Sequence, residues 1–302
     1  VRIGRRTFLK FAGFSSSALL FFSARLPKLF AGKWEHGETN WWKDGTFHQD
    51  HVKIETIGNG TINAKVDGTW QEFRIRQFSQ DFIDWNFSRR LEKLNELSLM
   101  LEGEGARPGY SGPHNGIVAT YGMRRKDSVF SLNNAVKGMG FAPAREKLKD
   151  AIELLRSTIE KPFPEKIDIL KNNYKNRELY DMSCQVSLEL YSAPDFETHT
   201  FLNQMENPLS TIVFLDIPSF EIRCVARLIH PDDPLATPYE KDVLDYTNLV
   251  HSYFHGKFDK IFITAIYYCI EEFDNTPGEK RGVRTIPPLP VENVEDIEKT
   301  KE

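Results

Sequence analysis

The sequence predicts an α+β protein: a small antiparallel β-barrel with peripheral helices in the C-terminal half, preceded by an N-terminal α+β region. Three observations predict it. Alternating apolar strands dominate residues 182–273. Their order is strand, short helix, strand, turn, strand, long helix, strand, which suits a barrel. Repeated strand–helix alternation over the whole chain is absent, as are G-x-G-x-x-G and a phosphate-loop motif, so a doubly wound sheet is excluded.

The elements follow in order. HVKIETI (51–57), TINAKV (61–66) and WQEFRIR (70–76) are short strand candidates, separated by Asn59-Gly60 and Asp67-Gly68 as hairpin turns. Phe82, Ile83, Trp85, Leu91, Leu94, Leu97 and Leu101 predict a helix. EGEGARPGYSGPHN (102–115), rich in Gly and Pro, is a loop that supplies Arg107, Tyr110 and His114. GIVATY (116–121) is a short strand, and MRRKDS (123–128) a charged break. Pro143 opens a helix over 144–161 with Leu148, Ile152, Leu155 and Ile159 on one face, PFPEK ends it, and ILKNNYKNREL (169–179) is polar enough for a linker.

MSCQVSLELY (182–191) alternates cleanly as a strand with one buried face. FETHTFLNQMEN is a short helix stopped by Asn207-Pro208. STIVFLD (210–216), EIRCVARLI (221–229) and IFITAIYYCIEEF (261–273) are strands, and 238–256 is a helix ended by Gly256. The expected domains are 1–32, 33–175, 176–285 and a polar tail, 286–302.

Composition narrows the function. The formal charge is −4, but residues 1–33 hold seven basic residues and no acid, so the remainder carries −11. An acidic body with scattered cations disfavours a nucleic-acid partner. Three cysteines, each in an apolar run and none in C-x-x-C, disfavour a disulfide scaffold or a thiolate zinc site. The 22 phenylalanines predict an aromatic core. His251 and His255 at i,i+4, and the His48/His51 pair, are weak metal candidates without an identifiable third ligand. Cys184 reads as core rather than as a nucleophile.

Arg5-Arg6-Thr7-Phe8-Leu9-Lys10, followed by a weakly apolar stretch, resembles the twin-arginine export signal. The resemblance implies export of a folded chain by the twin-arginine machinery to a periplasmic or extracellular site, commonly with a cofactor loaded. The apolar run is too short for a permanent membrane span.

THTFLNQMENPLSTIVFLD (198–216), with EIRCVARLI and YYCIEEFDNTPG after it, resembles the flavin-binding split-barrel family related to pyridoxamine phosphate oxidase. The likeness covers residues 180–285 and implies a split β-barrel that binds FMN, commonly as a homodimer. Carried over, the flavin phosphate falls to Thr198, His199 and Thr200, to Ser210 and Thr211, and to Arg223 and Arg227. The two arginines stand four apart on one strand face. The implied function is an exported FMN-dependent oxidoreductase. The alternative is a noncatalytic exported ligand- or protein-binding module on the same scaffold, which the thin cluster of basic residues favours.

Overall fold

The computed structural model describes residues 40–104, 109–278 and 282–289. The export-signal motif at 5–10 and nearly all of the C-terminal tail lie outside the described residues. Among the described residues, no helix is long and apolar enough to cross a membrane.

Two sheets form. The smaller is a ribbon of β1 (Val52–Lys53), β2 (Thr61–Val66) and β3 (Thr69–Arg74). Its β2–β3 turn is Asp67-Gly68, with φ of 47° and 80°. Positive φ at both central residues gives a two-residue hairpin the twist that its strands need.

The larger sheet is antiparallel and seven-stranded. It contains β4 (Asn115–Tyr121), β5 (Leu132–Gly138), β6 (Cys184–Glu189), β7 (Leu209–Phe214), β8 (Phe220–Ile229), β9 (Ile263–Asp274) and β10 (Val283–Ile286). The order is β10-β9-β8-β7-β4-β5, and β6 also pairs with β9. β9 is long enough to take β6 along 263–268 and β10 along 272–274. The sheet thus draws strands from both sides of residue 175.

This architecture corrects the expected split barrel. The sheet is curled but open, because no ladder joins β5 to β6. Among the described residues, the chain after β5 meets β6 and the segment before it at isolated bridges, Gly140 to Val186 and Pro143 to Tyr180. Side chains of α4 bond the start of β5 and the residue before it. Asn203 Nδ2 donates to Ser131 O at 2.9 Å, and Asn133 Nδ2 donates to Thr200 Oγ1 at 2.8 Å.

Five helices cover the sheet: α1 (Gln80–Leu101), α2 (Leu148–Thr158), α3 (Phe163–Lys175), α4 (His199–Glu206) and α5 (Pro238–His255). Their starts have local causes. Ser79 caps α1 and Thr198 caps α4, each hydroxyl accepting a backbone N–H three residues on. Thr237 and Glu240 form a full capping box on α5, with Pro238 in the first turn. α3 occupies much of the expected linker. Pro162 caps it and Pro164 lies in its first turn, so PFPEK starts a helix as well as ending one.

The strand alternation sorts side chains into two cores. Ile222, Cys224, Ala226 and Leu228 of β8 face an aromatic core with Phe78, Phe82, Trp85, Phe141, Phe201 and Phe214. Val225 and Ile229 face the other way, onto α2, α3, α5 and the ribbon. The three cysteines are free and buried.

Candidate functional site

The segment before the ribbon is fastened to the large sheet by several side chains, of which Gln49 is the most deeply buried. Gln49 is fully buried; its Nε2 donates to Gln204 O (2.8 Å) and Ala226 O (3.2 Å), and its Oε1 accepts from Leu228 N (2.8 Å). Trp42 and Phe47 pack on Phe201 beside it, with ring centroids 5.5 and 5.1 Å away. These contacts hold the neighbouring His48 against the loop that leads into α5.

His48 Nδ1 meets Asp233 Oδ2 at 2.7 Å. Asp233 is 1% exposed, and its other oxygen accepts from Leu235 N at 2.9 Å. A carboxylate only accepts, so His48 Nδ1 donates and Nε2 is left as the basic nitrogen. Behind Asp233 lies Arg227, 1% exposed. Its Nε donates to Glu240 Oε1 at 2.7 Å, its guanidinium also donates to Gln49 O at 3.0 Å, and Asp233 stands 3.9 Å off. The second oxygen of Glu240 accepts from Thr237 N and Oγ1 at 2.8 and 3.0 Å. The helix cap, the buried arginine and the His48–Asp233 pair are therefore one connected network.

This network borders a cavity of about 1030 Å³ between the ribbon, the start of α5 and the entry to β6. His48, Arg227 and Glu240 line it, together with Arg76, Arg145 and Tyr268. Arg145 lies 4.1 Å from the centroid of the Tyr239 ring. Tyr268 is 2% exposed, and its hydroxyl has no hydrogen-bond partner within the protein. Burial first, then the nearby Tyr239, Cys184, Glu240 and Asp181, holds that phenol well above its ordinary pKa. It faces the cavity as a neutral hydroxyl able to donate.

The residues expected to hold a flavin phosphate are bonded within the protein. Thr198 Oγ1 accepts from Phe201 N (3.1 Å), and His199 Nε2 donates to Met123 O (3.0 Å). Thr200 accepts from Asn133, and Ser210 Oγ accepts from Gln204 Nε2 at 3.1 Å. Thr211 pairs with Arg223 across β7 and β8. Arg223 sits at the surface, ion-paired with Glu221 (2.9 Å) and Glu271 (3.4 Å). It shares a strand face with Arg227, but α5 covers only the latter. Of the seven, Arg227 alone lines the cavity.

The other sequence candidates also find places. No group of three metal-ligating side chains is assembled among the described residues. His51 Nδ1 donates to Glu206 O at 2.8 Å. Burial pushes the Cys184 thiol well up, away from the thiolate that a nucleophile needs. His48 and Asp233 are 185 residues apart, and no local pattern in the sequence joins them. The sequence marks Arg227 and His48 only separately, for other roles; the Thr-Pro-x-Glu cap at 237–240 is a local signal that marks the start of α5.

His251 and His255 have ring centroids 4.6 Å apart. Burial lowers the His255 pKa to about 4; burial, then His255 and His114, lowers His251 to about 3. Such groups bind protons in the unfolded chain before the folded one, so stability is full above the unfolded pKa, about 6.5, and falls as pH drops toward 4. His251→Phe is expected to recover roughly 1 kcal/mol of the loss between pH 7.5 and pH 5, after allowance for solvent screening. Urea melts at the two pH values check this; equal losses in both proteins would remove His251 as a cause.

Fold and site together define an α+β protein with an open, curled antiparallel sheet and, at its ribbon side, a cavity with largely apolar walls and a few polar groups. No protein-family model matches the chain, and no curated protein matches it. With the barrel absent and no flavoprotein relative found, the FMN-oxidoreductase expectation loses its premise, as does a binding module on a split-barrel scaffold.

Proposed function

We propose that the chain is an acid–base enzyme acting on a small molecule held in the cavity between the ribbon and α5. The observation that carries this reading is the 2.7 Å contact between His48 and buried Asp233 in the cavity wall. The carboxylate fixes the ring orientation and tautomer and stabilises the imidazolium that forms when Nε2 takes a proton. Arg227 and the α5 cap hold Asp233 and Glu240 in place, so Arg227 acts through its neighbours as a positioning residue. A cavity of this size, with apolar walls and a few convergent polar groups, suits a small-molecule substrate.

Two measurements test the reading. Proton–nitrogen NMR of the full chain should show the neutral His48 ring protonated at Nδ1, and Asp233→Asn should abolish that preference. Against a panel of small acids and esters, His48→Gln should lower any turnover by about 10²–10⁴-fold. The reading fails if His48 carries its neutral-state proton on Nε2, or if turnover is unchanged in His48→Gln.

A further inference from the structure

We propose that the substrate carries an oxyanion head group, a carboxylate or a phosphate, on an apolar body, and that Arg145, Arg76 and the Tyr268 hydroxyl receive that head group. This deepens the acid–base reading of the same cavity and rests on it.

The unpartnered Tyr268 hydroxyl is the first reason. Buried polar groups in folded proteins are hydrogen-bonded in the great majority of cases, because leaving one unpaired forfeits its hydration. This hydroxyl is on a residue 2% exposed and lines the cavity. Whatever fills the cavity is its partner. Its raised pKa keeps it protonated, so it offers a donor to an oxygen ligand.

The charges on the walls supply the second reason. Most are committed to partners. Glu240 is held by Arg227 and Thr237. One oxygen of Asp181 accepts from Ser183 N at 2.8 Å and from Ser183 Oγ at 2.5 Å, and Lys53 lies over the Trp70 ring at 4.3 Å. Arg76 and Arg145 enter no ion pair with a carboxylate among the described residues. The backbone N–H of Arg76 bonds Cys269 O at 2.9 Å, which fixes its root beside β9. Arg145 lies against Tyr239, a contact that occupies the guanidinium face and leaves its N–H edge for a planar or tetrahedral oxyanion. Glu55 on the same wall disfavours a highly charged ligand and a second anionic group.

The apolar walls specify the rest of the molecule. Val52, Ile54, Ile57, Ile75 and the Tyr239 ring line the cavity, and about 1030 Å³ far exceeds what an inorganic ion fills. An acid with a compact hydrocarbon or aromatic body uses both surfaces.

Calorimetric titration of the full chain tests this with phenyl phosphate and benzoate, against inorganic phosphate and benzyl alcohol. At least one of the two aryl acids should bind, and which one distinguishes phosphate from carboxylate recognition. Benzyl alcohol should bind about tenfold more weakly or worse, and so should the better acid to Arg145→Gln, since each loses a charge-assisted contact. Tyr268→Phe should weaken binding several-fold while melting no lower than the parent chain. No binding of either acid, or affinity unchanged in Arg145→Gln and Tyr268→Phe, overturns the oxyanion site. Inorganic phosphate binding as tightly as phenyl phosphate overturns the apolar body. Neither result touches the nitrogen NMR signature of His48, so the two readings fail separately.

Discussion

Replacing Arg227 with methionine is expected to lower the unfolding free energy by about 3–5 kcal/mol. Methionine fills much of the same volume, so packing is not the main loss. The loss is electrostatic: Glu240, 2.7 Å from the guanidinium, and Asp233, 3.9 Å from it, are each 1% exposed and would lose the cation beside them. Gln49 O would also lose its donor. Urea denaturation of Arg227→Met gives the number, and a cost below about 1 kcal/mol would show that the network is not electrostatically tight. The double variant Arg227→Met/Glu240→Gln separates the causes. Neutralising one stranded carboxylate should return part of the stability, a coupling that independent sites do not show. If the two losses simply add, the carboxylate is not the source of the cost.

Phe82→Ala is the second large loss, also about 3–5 kcal/mol. Phe82 is fully buried, and its ring centroid lies 4.8 Å from Phe78, 5.4 Å from Phe220 and 5.7 Å from both Trp85 and Phe214. Four surrounding rings, held by α1, the segment just before it and two strands, cannot collapse into the space without breaking their own contacts. A cavity term therefore adds to the lost transfer energy. Alanine returns only about 0.5 kcal/mol through its better helix propensity. Thermal and urea melts measure the cost, and Phe82→Leu should recover a large part of it. If alanine costs no more than leucine, the site relaxes and the aromatic cluster is not rigid.

Much of the fold was legible where local chemistry decides it. Asp67-Gly68 specifies its hairpin by backbone conformation, and Thr237-Pro238 with Glu240 specifies a helix start. Alternation marked β6 and β8, and an apolar run marked β9. β5 was invisible: Leu132, Asn134 and Val136 are all exposed, so no buried face imposes the apolar alternation that reveals a strand. α3 was hidden because its core residues, Ile167 and Leu170, are few and polar residues follow. The barrel expectation failed for a different reason. Strand order along the chain is the same for a closed and an open sheet, and closure depends on which edge meets which. Here no ladder joins β5 to β6. The site was the least legible part. Arg223 and Arg227 were placed on one face from spacing alone, but the acids, the covering helix and His48 that divide their roles come from distant segments.

The anchoring of Gln49 bears on when the cavity can exist during synthesis. Gln49 bonds Ala226 and Leu228, 177 and 179 residues later, and His48 waits 185 residues for Asp233. At ribosomal speeds of 5–20 residues per second, that interval is roughly 10–40 s. Through it the earliest-made wall of the cavity has no partner, and the long separation must be closed before any contact rewards it. Of the proposed acid–base pair, His48 is made early and cannot meet its carboxylate until Asp233 has followed it. A chain cut short before residue 233 holds the imidazole but not the carboxylate that orients it.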